Sequence, residues 1–125
     1  MIEVLEELAE EVGIRGAMLV ATDGFPISST PVRGVDQDTV AAIASAVLKG
    51  IFTGLGELSQ SRKFSKFVMT TTHGRLVFVD TEADAYIIAI TDKSLNLEAT
   101  LLNVFGAAHR IRKLSELTDV TDEGT

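Results

Sequence analysis

Between Asp38 and Glu57 the chain carries a single charged residue, Lys49, although its apolar residues recur at helical spacing throughout. The segment from Asp36 to Gln60 reads DQDTVAAIASAVLKGIFTGLGELSQ. Val40, Ile43, Ala44, Val47, Leu48, Ile51, Leu55 and Leu58 share one helical face. An opposite face meeting water is expected to be charged, and this one is not. Ala42, Ala46, Gly50 and Gly54 repeat at every fourth position and line up along one side. A helix apolar or small all round is usually covered on more than one side. Each interior glycine costs roughly 1 kcal/mol relative to alanine. Close packing against a second helix is the simplest compensation. The competing reading is a single helix buried in a larger core, with its glycines at a frayed end.

With 125 residues the chain has the length of one domain, able to bury about two-thirds of its unfolded surface. A hydrophobic share of 46% suits a chain that hides surface in an oligomer. The net charge is −7, and no cluster of Lys and Arg with interleaved aromatics occurs, so nucleic acid is not an expected partner. The absence of cysteine excludes disulfides, thiolate metal sites and cysteine nucleophiles. The acidic, amphipathic start MIEVLEELAEEVG does not read as a signal peptide. No apolar run reaches the ~18 residues expected of a membrane span. A cytoplasmic location without membrane insertion is therefore the expectation.

Residues 2 to 12 place Ile2, Leu5, Leu8, Ala9 and Val12 on one stripe, with Gly13 as a C-cap. Ala17 to Thr22 reads as a buried strand, and Asp23-Gly24 is a strong hairpin signal leading to Phe25 to Ser29. Pro26 puts that return strand at an edge, because proline cannot donate to a ladder. Asp36, Asp38 and Thr39 are candidate caps for the long helix. Phe64 to Thr71, Arg75 to Asp80 and Ala85 to Thr91 read as three strands whose links are too short for parallel crossovers. Tyr86 to Ile90, apolar on both faces, reads as a central strand. A last helix starts near Ser94 or Asn96, with a stripe of Leu97, Leu101, Val104, Phe105, Ala108 and Ile111. The predicted architecture is an α+β domain over residues 1 to 118 in the order α-β-β-α-β-β-β-α. It has a five-stranded antiparallel sheet with helices on both faces. An acidic flexible tail is expected over residues 119 to 125.

Three groups of residues carry the resemblance to a known family. They are Gly16-Ala17-Met18-Leu19-Val20 leading to Asp23-Gly24-Phe25-Pro26-Ile27-Ser28, the Ala-rich helix Val40 to Gly54, and Gly74-Arg75-Leu76-Val77-Phe78-Val79 followed by Tyr86 to Ile90. Together they resemble the Roadblock/LC7 family, and within it the prokaryotic MglB-like branch. The likeness covers nearly the whole chain and lies in fold motifs, not catalytic ones. It departs at Leu97-Glu98-Ala99, where relatives often carry a glycine. The resemblance implies a homodimer joined through the long helix and the strand that opens the meander. Its expected interface residues are Thr39, Ala42, Ala46, Lys49, Gly50, Thr53, Gly54, Phe67 and Met69. It also implies a Ras-like small GTPase as partner, regulated without an arginine finger. Other members are scaffold or motor subunits, the alternative function. An unpaired edge strand independently calls for a covering chain.

The residues offer little chemistry. His73 and His109 read as a turn residue and a helix-surface residue. Asp80, Glu82 and Asp84 lack the glycine and final glutamate of a calcium loop. Gly50, Gly54 and Gly56 follow a helix without Gly-Lys-Ser/Thr, unlike a phosphate loop. Ser28, Ser29 and Thr30 have no neighbouring base. Arg33, Arg62 and Arg75 are the arginines weighed as a donated finger and read as surface residues. No enzyme activity, metal or cofactor is expected. A small-molecule sensor is the third function weighed, and the filled character of Ala17 to Ala21 and Tyr86 to Ile90 argues against it.

Overall fold

A computed structural model of the chain describes residues 2–32, 35–58 and 63–123, and for residues 118–123 the backbone alone. The elements run α1 (Ile2–Ala9), β1 (Ile14–Ala21), β2 (Pro26–Ser29), α2 (Gln37–Leu58), β3 (Lys66–Thr70), β4 (Arg75–Asp80), β5 (Ala85–Thr91) and α3 (Leu97–Glu123). The five strands form one antiparallel sheet in the order β2-β1-β5-β4-β3. As the sequence predicts, β5 is central and the Pro26 strand lies at an edge.

Successive strand residues point to opposite faces, so each strand feeds two cores. Leu19, Val77, Val79 and Ile87 meet α1 and α3 through Val4, Leu5, Leu8, Val104 and Ile111. Met18, Val20, Phe78, Tyr86 and Ile88 meet α2 through Ala44 and Leu48. Two salt links tie the helices of the first layer to their surroundings. Arg110 of α3 bonds Glu7 of α1, which holds the Glu7 carboxyl below its usual range. Arg112 donates to Glu82 at 2.6 Å.

Turn chemistry follows the residue types. Asp23-Gly24 turns β1 into β2, with Gly24 at φ +92° and its N–H donating to the Ala21 carbonyl at 2.8 Å. In the His73-Gly74 turn, the Thr71 hydroxyl accepts both backbone N–H groups at 3.2 Å. A Cβ at Gly74 would lie 2.6 Å from the Thr91 carbonyl oxygen, a backbone atom with no freedom to move away alone. Gly74→Ala is therefore expected to destabilise the fold by about 1–3 kcal/mol through overpacking between β4 and β5. A urea titration checks this, and an unchanged midpoint would show the strands part freely. Asp36 is the cap chosen for α2, its Oδ2 accepting from Thr39 N–H at 3.1 Å. Asn96 caps α3 by accepting from Ala99 N–H at 3.0 Å, so the entry that lacks a glycine is closed by a side chain.

Three expectations are corrected. Helix α1 ends at Ala9, and Val12, placed on its stripe, is 88% exposed. The adjacent Glu10 and Glu11 have no core to face, and Gly13 at φ +84° redirects the chain into β1, which begins at Ile14. Phe64 and Thr71 lie outside β3, which is shorter than expected. Phe105, expected on the α3 stripe, is 39% exposed, because the inward arc is taken by Val104, Ala107, Ala108 and Ile111. Helix α3 runs to Glu123. No glycine or proline interrupts residues 107 to 123, and Arg112 pairs with Glu116 one turn along.

Candidate protein interface

Helix α2 touches the sheet along a narrow line. Ala44 and Leu48 are its buried residues, flanked by the half-buried Val40, Ala41, Val47 and Phe52. Ile43 and Leu58, expected on the inward stripe, are 55% and 87% exposed. At 100° per residue Ile43 lies at the far margin of that stripe, while Leu58 shares the angle of the half-buried Val40 and is exposed as the last residue of the helix. The helix is also long and apolar enough, by length and composition, to cross a membrane, with a mean hydropathy of 1.5 in its most apolar window. That corrects the expectation that no segment qualifies. Only 17% of the window is buried. The helix is nonetheless seated on protein through Ala44, Leu48 and an aromatic cluster.

Thr39, Ala42, Ala46, Lys49, Gly50 and Thr53 are exposed and Gly54 is half-buried. Helical angle divides them. Gly50 and Gly54 share a flank with Ile43, which lines a cavity with Leu76 of β4, and Ala46 points straight out from the sheet. Ala42 and Lys49 lean to the other side, facing Phe25 and Pro26 of the hairpin. The Lys49 stem lies over Gly24. A Cβ at Gly50 or Gly54 would meet nothing within 4 Å. Packing within the described residues therefore gives no reason for either glycine.

Beside this flank lies the free edge of the sheet. Among the described residues strand β3 pairs with β4 alone. Phe67 and Met69 point to the α2 face, Phe67 at 38% exposure with its ring 5.8 Å from Phe78. Phe64, just ahead of β3, stacks on Tyr86 at 4.5 Å, and Phe52 of α2 meets Tyr86 at 5.5 Å. The Tyr86 hydroxyl donates to Phe64 C=O at 2.8 Å and accepts from Phe64 N–H at 3.3 Å. This cluster fixes α2 and the entry to β3 relative to each other. Ile43, which lies on this surface, and Phe64 and Tyr86, which support it, were not singled out for it in the sequence. Their roles depend on strand order, which short-range pattern does not show.

Burial raises the Tyr86 phenol above its ordinary value, opposed by its bond to the Phe64 backbone. The folded state thus favours the neutral phenol. Its contribution is complete below pH ~10 and is lost as pH rises through the raised value. Tyr86→Phe is expected to cost about 1–2 kcal/mol at neutral pH, by stranding the Phe64 N–H and C=O. It is also expected to flatten the alkaline fall in stability. Urea titrations at neutral and alkaline pH check both, and parallel losses in the two proteins would contradict the assignment.

Catalytic groups do not converge here. Among the described residues no three His, Cys, Asp or Glu side chains are placed to hold a metal ion. His73 and His109 are exposed and far apart in the fold, on a turn and on α3. Thr30 is committed to Ala17, its hydroxyl accepting from the N–H at 3.0 Å. Arg75 donates to the Leu95 carbonyl at 2.6 Å, a structural use. Arg33 and Arg62 lie outside the described residues. Asp80 and Glu82 shape the turn before β5, with Asp80 Oδ1 accepting from Glu82 N–H at 2.8 Å.

Comparison with known proteins gives one consistent picture. The Roadblock/LC7 domain model matches residues 2–92. Protein MJ1340 of Methanocaldococcus jannaschii is 30% identical over 116 residues, covering 89% of this chain and 96% of its own. Protein MJ0310 of the same organism matches to the same extent. MglB of Myxococcus xanthus superposes with a TM-score of 0.78 at 19% identity, covering 91% of this chain and 93% of that one. The gliding protein MglB of Thermus thermophilus gives 0.77 at 20% identity, covering 92% and 87%. A Roadblock/LC7 domain from Streptomyces avermitilis gives 0.75 at 13% identity, covering 91% and 96%.

Proposed function

The chain belongs to the Roadblock/LC7 family, and from that premise we propose a homodimeric module, without catalysis of its own, that binds and regulates a Ras-like small GTPase. The observation that carries the reading is the outer side of α2 at Ala46, Gly50 and Gly54, open to solvent beside the free edge of β3. Two copies related by a two-fold axis cover both features at once: helix against helix, and edge strand against edge strand. Glycine at the crossing lets the backbones approach closely. Support for the GTPase comes from the likeness to MglB folds, one of them a gliding protein.

The mechanism is a population shift. A dimer face that binds one switch conformation of the GTPase more tightly raises that population by its differential affinity. No donated arginine is needed. The test is single-turnover GTP hydrolysis by the GTPase that co-purifies with this protein, measured with and without it. A faster rate that saturates at one stoichiometry is expected. Binding with an unchanged rate would replace the regulator by a scaffold, and absence of binding would overturn the reading altogether.

A further inference from the structure

Two cavities adjoin beneath the N-terminal half of α2 and at the end of the sheet beside it. The first is apolar and encloses about 200 Å³. Met18 of β1 and Ile88 of β5, both buried, line it from the sheet, and Val40, Ile43 and Ala44 line it from α2. The second is a cleft of about 140 Å³ at the turn between β3 and β4, lined by Arg15, Thr71, His73, Arg75 and Thr91. Arg15, Leu76 and Ile90 line both, so the two spaces meet at those three residues.

A bulge puts Arg15 at the junction. Ile14 and Ala17 both face the core under α1 and α3, an odd separation that a regular strand does not allow. The register of β1 on β5 shifts between Ile14 and Gly16. Arg15, displaced by the shift, lies exposed and lines the apolar cavity with Met18.

Charge and hydrocarbon together define the ligand. The chain carries a net charge of −7, yet no Asp or Glu lines either cavity. Among the described residues the Arg15 guanidinium meets no carboxylate. Arg75 is anchored on the Leu95 carbonyl, and its buried Nε has no partner among the described residues. Two arginines without counter-charge suit an anion, since a guanidinium meets two oxygens of a carboxylate or phosphate at once. Beyond Arg15 the walls are aliphatic. An apolar cavity of ~150 Å³ stays dry and takes up benzene, so the space here suits a chain of about six to eight carbons.

We propose that the joined cavities bind a small single-chain amphipathic anion. Its aliphatic tail lies between α2 and the sheet, and its carboxylate or phosphate head lies against Arg15. The site is complete within one chain and does not rest on the dimer or on the GTPase.

Calorimetric titration of the full chain tests this with octyl phosphate, octanoate, octanol and inorganic phosphate, the amphiphiles kept below micelle formation. Octyl phosphate and octanoate are expected to bind, with octanol and inorganic phosphate weaker by about 10-fold or more. Arg15→Gln should lower octyl phosphate to the level of octanol and leave octanol unchanged. Val40→Phe, which narrows the apolar cavity, should weaken octyl phosphate and octanol alike. Circular dichroism of each variant confirms folding. Octanol binding as tightly as octyl phosphate, or an unchanged affinity in Arg15→Gln, would remove the head site. Inorganic phosphate binding as tightly as octyl phosphate would remove the tail site. Binding to anionic vesicles with none to either soluble amphiphile would replace the cavity by a membrane-facing surface and overturn the proposal.

Discussion

Gly50→Leu is expected to dissociate the dimer while leaving the isolated chain as stable as before, or more so. The two effects have opposite signs because they arise on opposite sides of one Cβ. Within the chain the new side chain meets open space. Replacing an interior glycine then favours the helix by about 0.8 kcal/mol. Across the proposed interface the same side chain strikes the second helix. Overpacking costs about 1–3 kcal/mol per site, and the two-fold axis applies it twice. A loss of about 2–6 kcal/mol raises the dissociation constant ~30-fold or more. Light scattering over a dilution series reads the mass, and urea unfolding in the dissociated regime reads the chain. An unchanged dimer would move the interface off this flank.

The largest expected loss of stability comes from Phe78→Ala. Phe78 is fully buried in the layer under α2, and its ring lies 5.8 Å from that of Phe67 on the edge strand. Removing a buried phenylalanine typically costs about 3–5 kcal/mol. That is a large part of the roughly 5–15 kcal/mol that holds a domain of ordinary size. Phe67→Ala provides the contrast. Its side chain is already 38% exposed, so unfolding should shift less, while dimerisation should suffer. The two unfolding midpoints, measured side by side, check the division. Equal losses would place Phe67 in the core and remove it from the interface.

The strands of the meander were legible because each obeys a local rule. Arg75 to Asp80 and Ala85 to Thr91 fall within their predicted limits, bounded by His73-Gly74 and by Glu82-Ala83-Asp84. Both Glu82 and Asp84 take positive φ there, a conformation a short acidic turn tolerates. The caps were legible for the same reason: Asp36 and Asn96 act within one turn of their own helix. What failed depended on distance. Val12 has helical spacing but lies past the end of α1, and for Ile43 burial depends on how wide a surface the sheet offers. The sequence does not state that width. Phe64 and Tyr86 are separated in the chain, and their stacking becomes visible only when β5 and β4 lie between the central core and the edge.

The surface features themselves were partly legible. Poverty of charge marked α2 as a helix needing cover on two sides. Gly50 and Gly54 marked a side that the described residues leave open. The division of the outer residues between a β3 flank and a hairpin flank was not legible, since it needs the helix's rotation on the sheet.

The chain has no cysteine, so a single introduced thiol reports one position alone. Ala46→Cys puts that thiol on the outer flank of α2, exposed within the chain, and Lys93→Cys gives an exposed control before α3. Maleimide labelling of the folded protein is expected to be slow at Ala46→Cys when concentrated and to approach the control on dilution, as the covering copy leaves. Labelling as fast as the control at every concentration would contradict a covered α2.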